Sequence, residues 1–321
     1  MGRCGRLAAL PVPSLPGGKG DEVSMTPEEQ FNEYRPLLFG IAYRMLGSVM
    51  DAEDIVQEAF LRWQNARDTE IESPKAYLTT IVTRLCLDHL RSARVQREEY
   101  VGPWLPEPLV DAQAPDVADT AALHESLSMA FLVLLESLTP VERAVFLLHD
   151  VFGYDFAEIA RIVGKSEANC RQLARRARGY VQARRPRFTA STAQQDRLTR
   201  EFLRACTTGD LPGLVATLAD DITLWSDGGG KVAAALKPIH GREAVARALI
   251  GAVRKAPPRL DTRFTHVNGQ PGLVSYLDGR PFAVLLLDIA EERIQGVRVV
   301  ANPDKLRHLM GAASVEPASP A

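Results

Sequence analysis

The chain has 321 residues, enough for two or three domains, and its 46% hydrophobic and 24% charged residues are ordinary for a water-soluble globular protein. Its four cysteines, Cys4, Cys86, Cys170 and Cys206, stand far apart with no CxxC pair, which argues against a zinc site or disulfide framework and suits a reducing cytosol. No apolar run reaches the roughly 18 residues that a membrane span requires, and the formal net charge of −2 is an average over strongly segregated segments.

The opening "MGRCGRLAALPVPSLPGG" is broken by prolines and makes a poor signal peptide. Residues 1–24 read as a disordered extension, or as sequence upstream of a start at Met25. "MTPEEQF" then begins the first helix: Thr26 can cap, Pro27 suits the first helical position and Glu29 stands three residues after the cap. Phe31, Tyr34, Leu38, Ile41, Ala42 and Met45 recur at helical spacing, and Pro36 predicts a kink or a restart. A second helix spans about 51–65. Ile55, Val56, Ala59, Phe60 and Trp63 form its apolar stripe, with Asp51, Glu53, Asp54, Gln57 and Glu58 largely off it. A third starts at Ser73-Pro74; its stripe is Tyr77, Leu78, Ile81, Val82, Leu85, Cys86, His89 and Leu90, and its other side carries Lys75, Thr79, Thr83, Arg84, Arg91 and Arg94. Short links between three such helices predict an all-α bundle.

"GPWLPEPLVDAQAPD" at 102–116 is neither helix nor strand, because each proline removes a donor and extends the residue before it. It nevertheless keeps Trp104 and two leucines. Helical patterning resumes at about 121–138, and "TPVE" at 139–142 repeats the cap, Pro and Glu order. In "YDFAEIARIVGKSEANCRQLARRARGYVQARR" a helix over 155–163, a turn at Gly164-Lys165 and a second helix capped by Ser166 give a helix-turn-helix. On that second helix Cys170, Leu173, Ala174, Ala177 and Val181 share one face. Ala168, Gln172 and Arg175 point away, with Asn169, Arg171 and Arg176 on the flanks. Arg pairs with guanine and Asn or Gln with adenine, so this face suits the major groove, with Arg178, Arg184, Arg185 and Arg187 left for phosphates.

After about 193 two helices (198–206 and 211–218) lead into strands "DITLW", "LDTRFTHV", "LVSYL", "FAVLLLDI" and "RIQGVRVV", with "GREAVARALIGAVRK" as a further helix. Asn268-Gly269 and Asp278-Gly279 are hairpin turn signals. The expectation is an α+β domain with an antiparallel sheet. "SVEPASPA" reads as a disordered tail.

"DAEDIVQEAFLRW", "SPKAYLTTIVTRLCLDHLRSARVQ" and the helix-turn-helix together resemble regions 2 and 4 of bacterial extracytoplasmic-function (ECF) sigma factors, over about 25–187. "WLPEPL", "DGGGK" at 227–231 and "NPDKL" at 302–306 resemble the SigJ-like subgroup with a SnoaL-like (NTF2-like) C-terminal domain, which extends the likeness to about 311. The implied fold is multidomain: two all-α sigma domains, a region 2 helical bundle and a region 4 helix-turn-helix, then an α+β cone-shaped domain. The implied boundaries are 1–24, a disordered extension; 25–98, region 2; 99–122, a proline-rich linker; 123–187, region 4; 193–311, the SnoaL-like domain; and 312–321, a disordered tail.

The resemblance implies that Asp51, Asp54, Gln57 and Glu58 face the beta-prime clamp of core RNA polymerase. It implies that the third helix, with Arg84, Arg91 and Arg94, and the loop over 65–73 engage the −10 promoter element. The recognition-helix residues Ala168, Asn169, Arg171, Gln172, Arg175 and Arg176 are then assigned to the −35 duplex. Tyr77 stands where the family usually has Trp, and Thr83 where it has Asn, which removes an amide from the −10 face. Trp104 and Leu105 are expected to dock on the C-terminal domain or on polymerase. Asp227, Gly228, Gly229, Gly230, Lys231, Asn302, Pro303, Asp304 and Lys305 are expected at a regulatory interdomain contact, with Lys231 and Asp304 as a candidate pair.

Because SnoaL-like domains share a fold with ketosteroid isomerases, Asp227, His240, His266, Tyr276 and Asp278 are candidates by type for a proton-shuttling site. Asp278 belongs to a turn and Asp227 introduces a triple glycine, so a regulatory or ligand-sensing domain is favoured over an enzyme. No catalytic residue, metal or cofactor is expected; promoter DNA, polymerase and a small-molecule ligand of the C-terminal domain are the expected partners, in the cytoplasm and away from membranes. The alternative is a one-component helix-turn-helix regulator that binds a small molecule and never joins polymerase.

Overall fold

The computed structural model describes residues 26–66, 71–98, 100–110, 127–184 and 190–314; the expected N-terminal extension and most of the expected tail lie outside them. Helix α1 (Pro27–Leu46) opens on the expected capping box, with Thr26 Oγ1 accepting from Glu29 N at 3.2 Å and Glu29 accepting from Thr26 N at 2.7 Å. It passes through Pro36 without restarting and stops at Gly47, whose left-handed φ of 67° favours glycine. Ser48 caps α2 (Val49–Asn65), and α3 (Pro74–Glu98) completes the bundle.

Region 4 contains α4 (Met129–Glu136), α5 (Pro140–Phe146) running into a π turn over Leu147–Val151, and the helix-turn-helix pair α6 (Phe156–Val163) and α7 (Glu167–Arg184). Asp155 caps α6, and Gly164, at φ 65°, makes the turn. Leu38, Ile41, Met45, Leu78 and Val82 belong to one buried cluster with Leu132, Leu135, Val145, Leu148 and Ile159, so regions 2 and 4 share an interior.

The C-terminal domain begins with α8 (Thr192–Thr208) and α9 (Leu211–Thr217), then β1 (Leu218–Asp227), β2 (Ile239–His240), α10 (Arg242–Arg254) and β3 to β6 (Leu260–Val267, Gln270–Leu277, Arg280–Ala290, Arg293–Val300). The sheet order is β2-β1-β6-β5-β4-β3. The expectation of a wholly antiparallel sheet is corrected at one place: β1 pairs parallel to β6, because the chain leaves β1 through α10 and returns to its edge as the last strand. Asn268 and Asp278, at φ 55° and 49°, make the two expected hairpin turns with Gly269 and Gly279.

Alternation along the strands separates two faces. Leu218, Ile222, Leu224, Ile294 and Val297 pack under Phe202, Val245, Leu249 and Ile250 of the helices. The opposite face offers Val274, Tyr276, Val284, Leu286 and Val300 to Leu105 and Val110 of the proline segment, Met129 of α4, and Leu306 and Leu309 of a closing 3-10 segment (Pro303–Ser314). That second face makes three domains one body.

Candidate nucleic-acid interface and interdomain clasp

On α2, Asp54 and Gln57 are exposed, while Asp51 and Glu58 are half-buried. Glu58 pairs with Arg62 at 2.9 Å, and Asp51 lies 3.5 Å from His89 Nε2. All four expected polymerase-facing residues therefore fall on one accessible side. On α7, Cys170, Leu173, Ala174, Ala177 and Val181 are buried, and Ala168, Asn169, Arg171, Gln172, Arg175 and Arg176 are all exposed, as the periodicity requires. Arg178 is tied to Asp150 at 2.6 Å and Arg184 stacks 3.8 Å over Tyr180; Arg185 and Arg187 lie outside the described residues.

The third helix departs from expectation. Thr79 and Thr83 were placed on its polar side, yet both are fully buried, because region 4 covers that side. Thr79 Oγ1 hydrogen-bonds Tyr154 Oη at 2.8 Å, Lys75 Nζ sits 5.5 Å over the Tyr154 ring, and burial raises the Tyr154 phenol above its ordinary range. Thr83 Oγ1 is buried with no hydrogen-bond partner among the described residues. Arg84 is exposed but engaged: Nε donates to Ile162 O and Nη2 to Arg161 O, both at 3.1 Å. Beside it lies a groove of about 530 Å³ lined by Arg62, Asn65, Ala66, Tyr77, Thr80, Ile81 and Arg84. Arg91 is exposed and pairs with Asp88; the side chain of Arg94 lies outside the description.

Two buried guanidiniums, not singled out by the sequence, fasten regions 2 and 4. Arg143 of α5 donates to Met45 O at the end of α1 and to Glu136. Arg44 of α1 lies 5.4 Å over Phe152. Burial lowers both to about 10, which leaves them charged at neutral pH.

The proline segment is docked along its described length. Leu105 N donates to Asp227 Oδ2 at 2.8 Å, Glu107 N to Gly47 O at 2.8 Å, and Leu109 N to Asn268 Oδ1 at 3.1 Å. Pro106 and Pro108 occupy the alternate positions, where no donor is spent. The odd-numbered amides thus tie the strand to the C-terminal domain, region 2 and the C-terminal domain in turn. Trp104 stands between the domains: Lys305 Nζ lies 4.2 Å over its ring, and a Cβ on Gly47 would come within 2.8 Å of it. Lys305 also donates to Asp227 at 2.7 Å and to Leu105 O, and lies 4.8 Å over Tyr100.

Asp227 is fully buried and further accepts from Tyr100 Oη at 2.5 Å and Gly229 N at 3.1 Å. Its neighbours explain the glycines. A Cβ at Gly229 would strike Asn302 and one at Gly228 would strike Val232 O, while Gly230 lies against Val101. Asn302 donates to Tyr100, Pro303 opens the 3-10 segment, and Asp304 forms the expected pair with Lys231. "WLPEPL", "DGGGK" and "NPDKL" therefore meet in one clasp.

Sequence reading missed Tyr100, Glu107, Tyr43 and His308, and took Asn268 for a turn residue alone. Glu107 accepts from Val49 N at 2.7 Å, Met50 N at 3.1 Å and Ser48 Oγ at 3.0 Å, so a linker carboxylate completes the N-terminus of α2. Burial raises the carboxyl while these three donors oppose it. Asn268 Nδ2 donates to Tyr43 Oη at 2.6 Å and to Leu127 O, joining the β3–β4 turn to regions 2 and 4. The expected proton-shuttle candidates do not converge: Asp227 serves the clasp, Tyr276 lies in the interdomain cluster, His240 is exposed beside Thr223, His266 is half-buried on β3 and Asp278 forms a turn. No group of three metal-ligating side chains occurs among the described residues, nor is any described helix long and apolar enough to cross a membrane.

An acidic helix, an exposed recognition helix and a fused α+β domain fit a DNA-binding transcription protein, and comparison with known proteins gives its class. Residues 30–95 match the family Sigma-70 region 2, and residues 128–180 match Sigma-70, region 4. The chain is 39% identical over 290 residues to the ECF RNA polymerase sigma factor SigJ of Mycobacterium tuberculosis, covering 86% of this chain and 92% of that protein. It is 33% identical to the probable ECF sigma factor SigI of the same species, covering 85% and 92%. The crystal structure of M. tuberculosis SigJ superposes with a TM-score of 0.69 at 36% identity, over 86% of this chain and 96% of that one. The chain belongs to the ECF RNA polymerase sigma factors.

Proposed function

We propose that α2 presents Asp51, Asp54, Gln57 and Glu58 to the clamp of core polymerase, that α7 reads the −35 duplex, and that α3 with the adjoining groove takes the opened −10 strand. Promoter opening needs bases to leave the stack at a few kcal/mol per step, and a groove of 530 Å³ edged by Tyr77, Arg62 and Arg84 offers an aromatic face and phosphate partners together. The observation that carries this reading is the segregation of charge onto two separate exposed surfaces, carboxylates on α2 and guanidiniums on α7. The domain division we adopt is 25–98 for region 2, 99–122 for the linker, 123–187 for region 4 and 193–311 for the C-terminal domain, and separate expression of these pieces tests it. The cytoplasm is the compartment where polymerase and promoter meet.

The C-terminal domain acts as a built-in regulator rather than an enzyme. By gripping the linker and α4 it favours a closed arrangement of the two DNA-reading modules, and activation is a population shift away from it. Run-off transcription by the pure full-length chain with core polymerase tests the assignment, since a regulator that never joins polymerase supports no initiation. Variants of the clasp in the same assay report whether the domain restrains or assists.

A further inference from the structure

The closed chain does not leave its three recognition surfaces equally free of internal partners. Asp54 and Gln57 on α2 and Gln172 and Arg175 on α7 are open to solvent. By contrast, Lys75, Thr79 and Arg84, one side of α3, are all engaged by region 4 through Tyr154 and the last carbonyls of α6. Those carbonyls are the negative end of a helix and present two oxygens to one guanidinium, much as a phosphate does. A phosphate carries full charge, so it competes well for the same side chain.

Resting on the assignment of the −10 surface above, we propose that Arg84 is an exchange latch. In the free chain its guanidinium holds α6, on promoter DNA it holds the −10 strand backbone, and the two engagements exclude each other. The closed chain is then able to meet polymerase through α2 and duplex through α7, and is barred only from the −10 strand.

Two variants separate this from a merely structural contact, because they are expected to move DNA binding in opposite directions. Tyr154→Phe touches only the closed seam, and losing one hydrogen bond shifts the equilibrium about two- to tenfold towards the open form. Arg84→Ala opens the seam too but removes the phosphate contact, worth about tenfold or more in affinity. The full-length chain would carry dyes at the exposed positions Glu33 and Gln182. It would be assayed free for dye separation, and with core polymerase for binding to a fork promoter selected from a randomised library by the wild-type holoenzyme. Both variants should lengthen the dye separation; Tyr154→Phe should bind the fork more tightly and Arg84→Ala more weakly. If neither variant changes the separation, or if Tyr154→Phe opens the chain without strengthening fork binding, the latch is overturned while the −10 surface stands. If Arg84→Ala opens the chain and still binds the fork as the wild type does, the DNA half of the exchange is wrong, and with it the −10 assignment of this residue.

Discussion

Replacing Asp227 by alanine is the sharpest test of the clasp. The carboxylate is fully buried and faces the ammonium of Lys305 at 2.7 Å, with Tyr100, Leu105 N and Gly229 N as further donors. Removing one partner of a buried ion pair leaves the other charge uncompensated and costs about 3–5 kcal/mol. Part of that is relieved here, since Lys305 keeps Leu105 O and two aromatic faces, so about 3 kcal/mol is the expected loss. If the linker releases locally, its amides should exchange with solvent about a hundredfold faster, at 1.36 kcal/mol per decade. Hydrogen exchange read on peptides covering 100–110 measures this. Leu105, Glu107 and Leu109 should accelerate together, because Asp227, Gly47 and Asn268 hold one continuous strand. Lys305→Met in the Asp227→Ala background should recover part of the protection by removing the stranded charge. Unchanged exchange at Leu105 in a folded Asp227→Ala protein would refute the reasoning.

Other consequences are smaller but direct. Trp104→Ala removes the ring between Gly47 and Lys305 and should destabilise the docked linker by about 3 kcal/mol, seen as faster proteolysis within 100–126; unaltered cleavage and transcription would defeat a docking role for the tryptophan. His308 donates Nε2–H to Pro108 O, and burial lowers its pKa, so its neutral form belongs to the docked state, with Lys305 and Arg307 nearby on the same segment. The stability it supports is present above the unfolded value of about 6.5 and lost as pH falls through the lower folded value; linker protection should therefore weaken on acidification, and His308→Gln should flatten that dependence. Asp54→Lys, exposed and unpaired with any cation among the described residues, should weaken co-elution with core polymerase while leaving thermal stability within about 0.5 kcal/mol. Gln172→Ala with Arg175→Ala should abolish −35 duplex preference, read by comparing −35 and scrambled duplexes, without altering binding to core.

What the sequence disclosed was governed by local rules. The caps at Thr26 and Thr139, the turns at Gly164 and Asn268, and the inward face of α7 all depend on neighbours within a few residues, and all were legible; Asp155, read as the first residue of its helix, is instead the cap. Thr79 and Thr83 misled because a polar face reads as solvent-facing unless another domain is known to cover it. Glu107 read as a loop carboxylate, since nothing within its own segment reveals that the N-terminus of α2 lies opposite. The clasp was anticipated in its members through family resemblance, whereas the chemistry joining them, Asp227 at the centre and Lys305 between two rings, appears only in three dimensions. The parallel pairing of β1 with β6 was equally out of reach, because it depends on which edge the last strand finds.

The linker is better understood as a shared strand than as a tether. A tether of such length leaves its ends nearly independent, since doubling a flexible loop changes closure by only about 0.6 kcal/mol. This strand instead bonds region 2 through Glu107 and the C-terminal domain through Leu105 and Leu109, so neither grip can open without straining the other. Its prolines limit the freedom it regains on release, which lowers the entropy that would otherwise favour opening. Coupling then follows by linkage: a ligand of region 2 that disfavours Glu107 at the N-terminus of α2 weakens docking of the linker, and the docked linker weakens that ligand's binding by the same factor. Because Glu107 caps the very helix whose next turn carries Asp51 and Asp54, the polymerase contact proposed for that helix is the event best placed to be felt at the C-terminal domain.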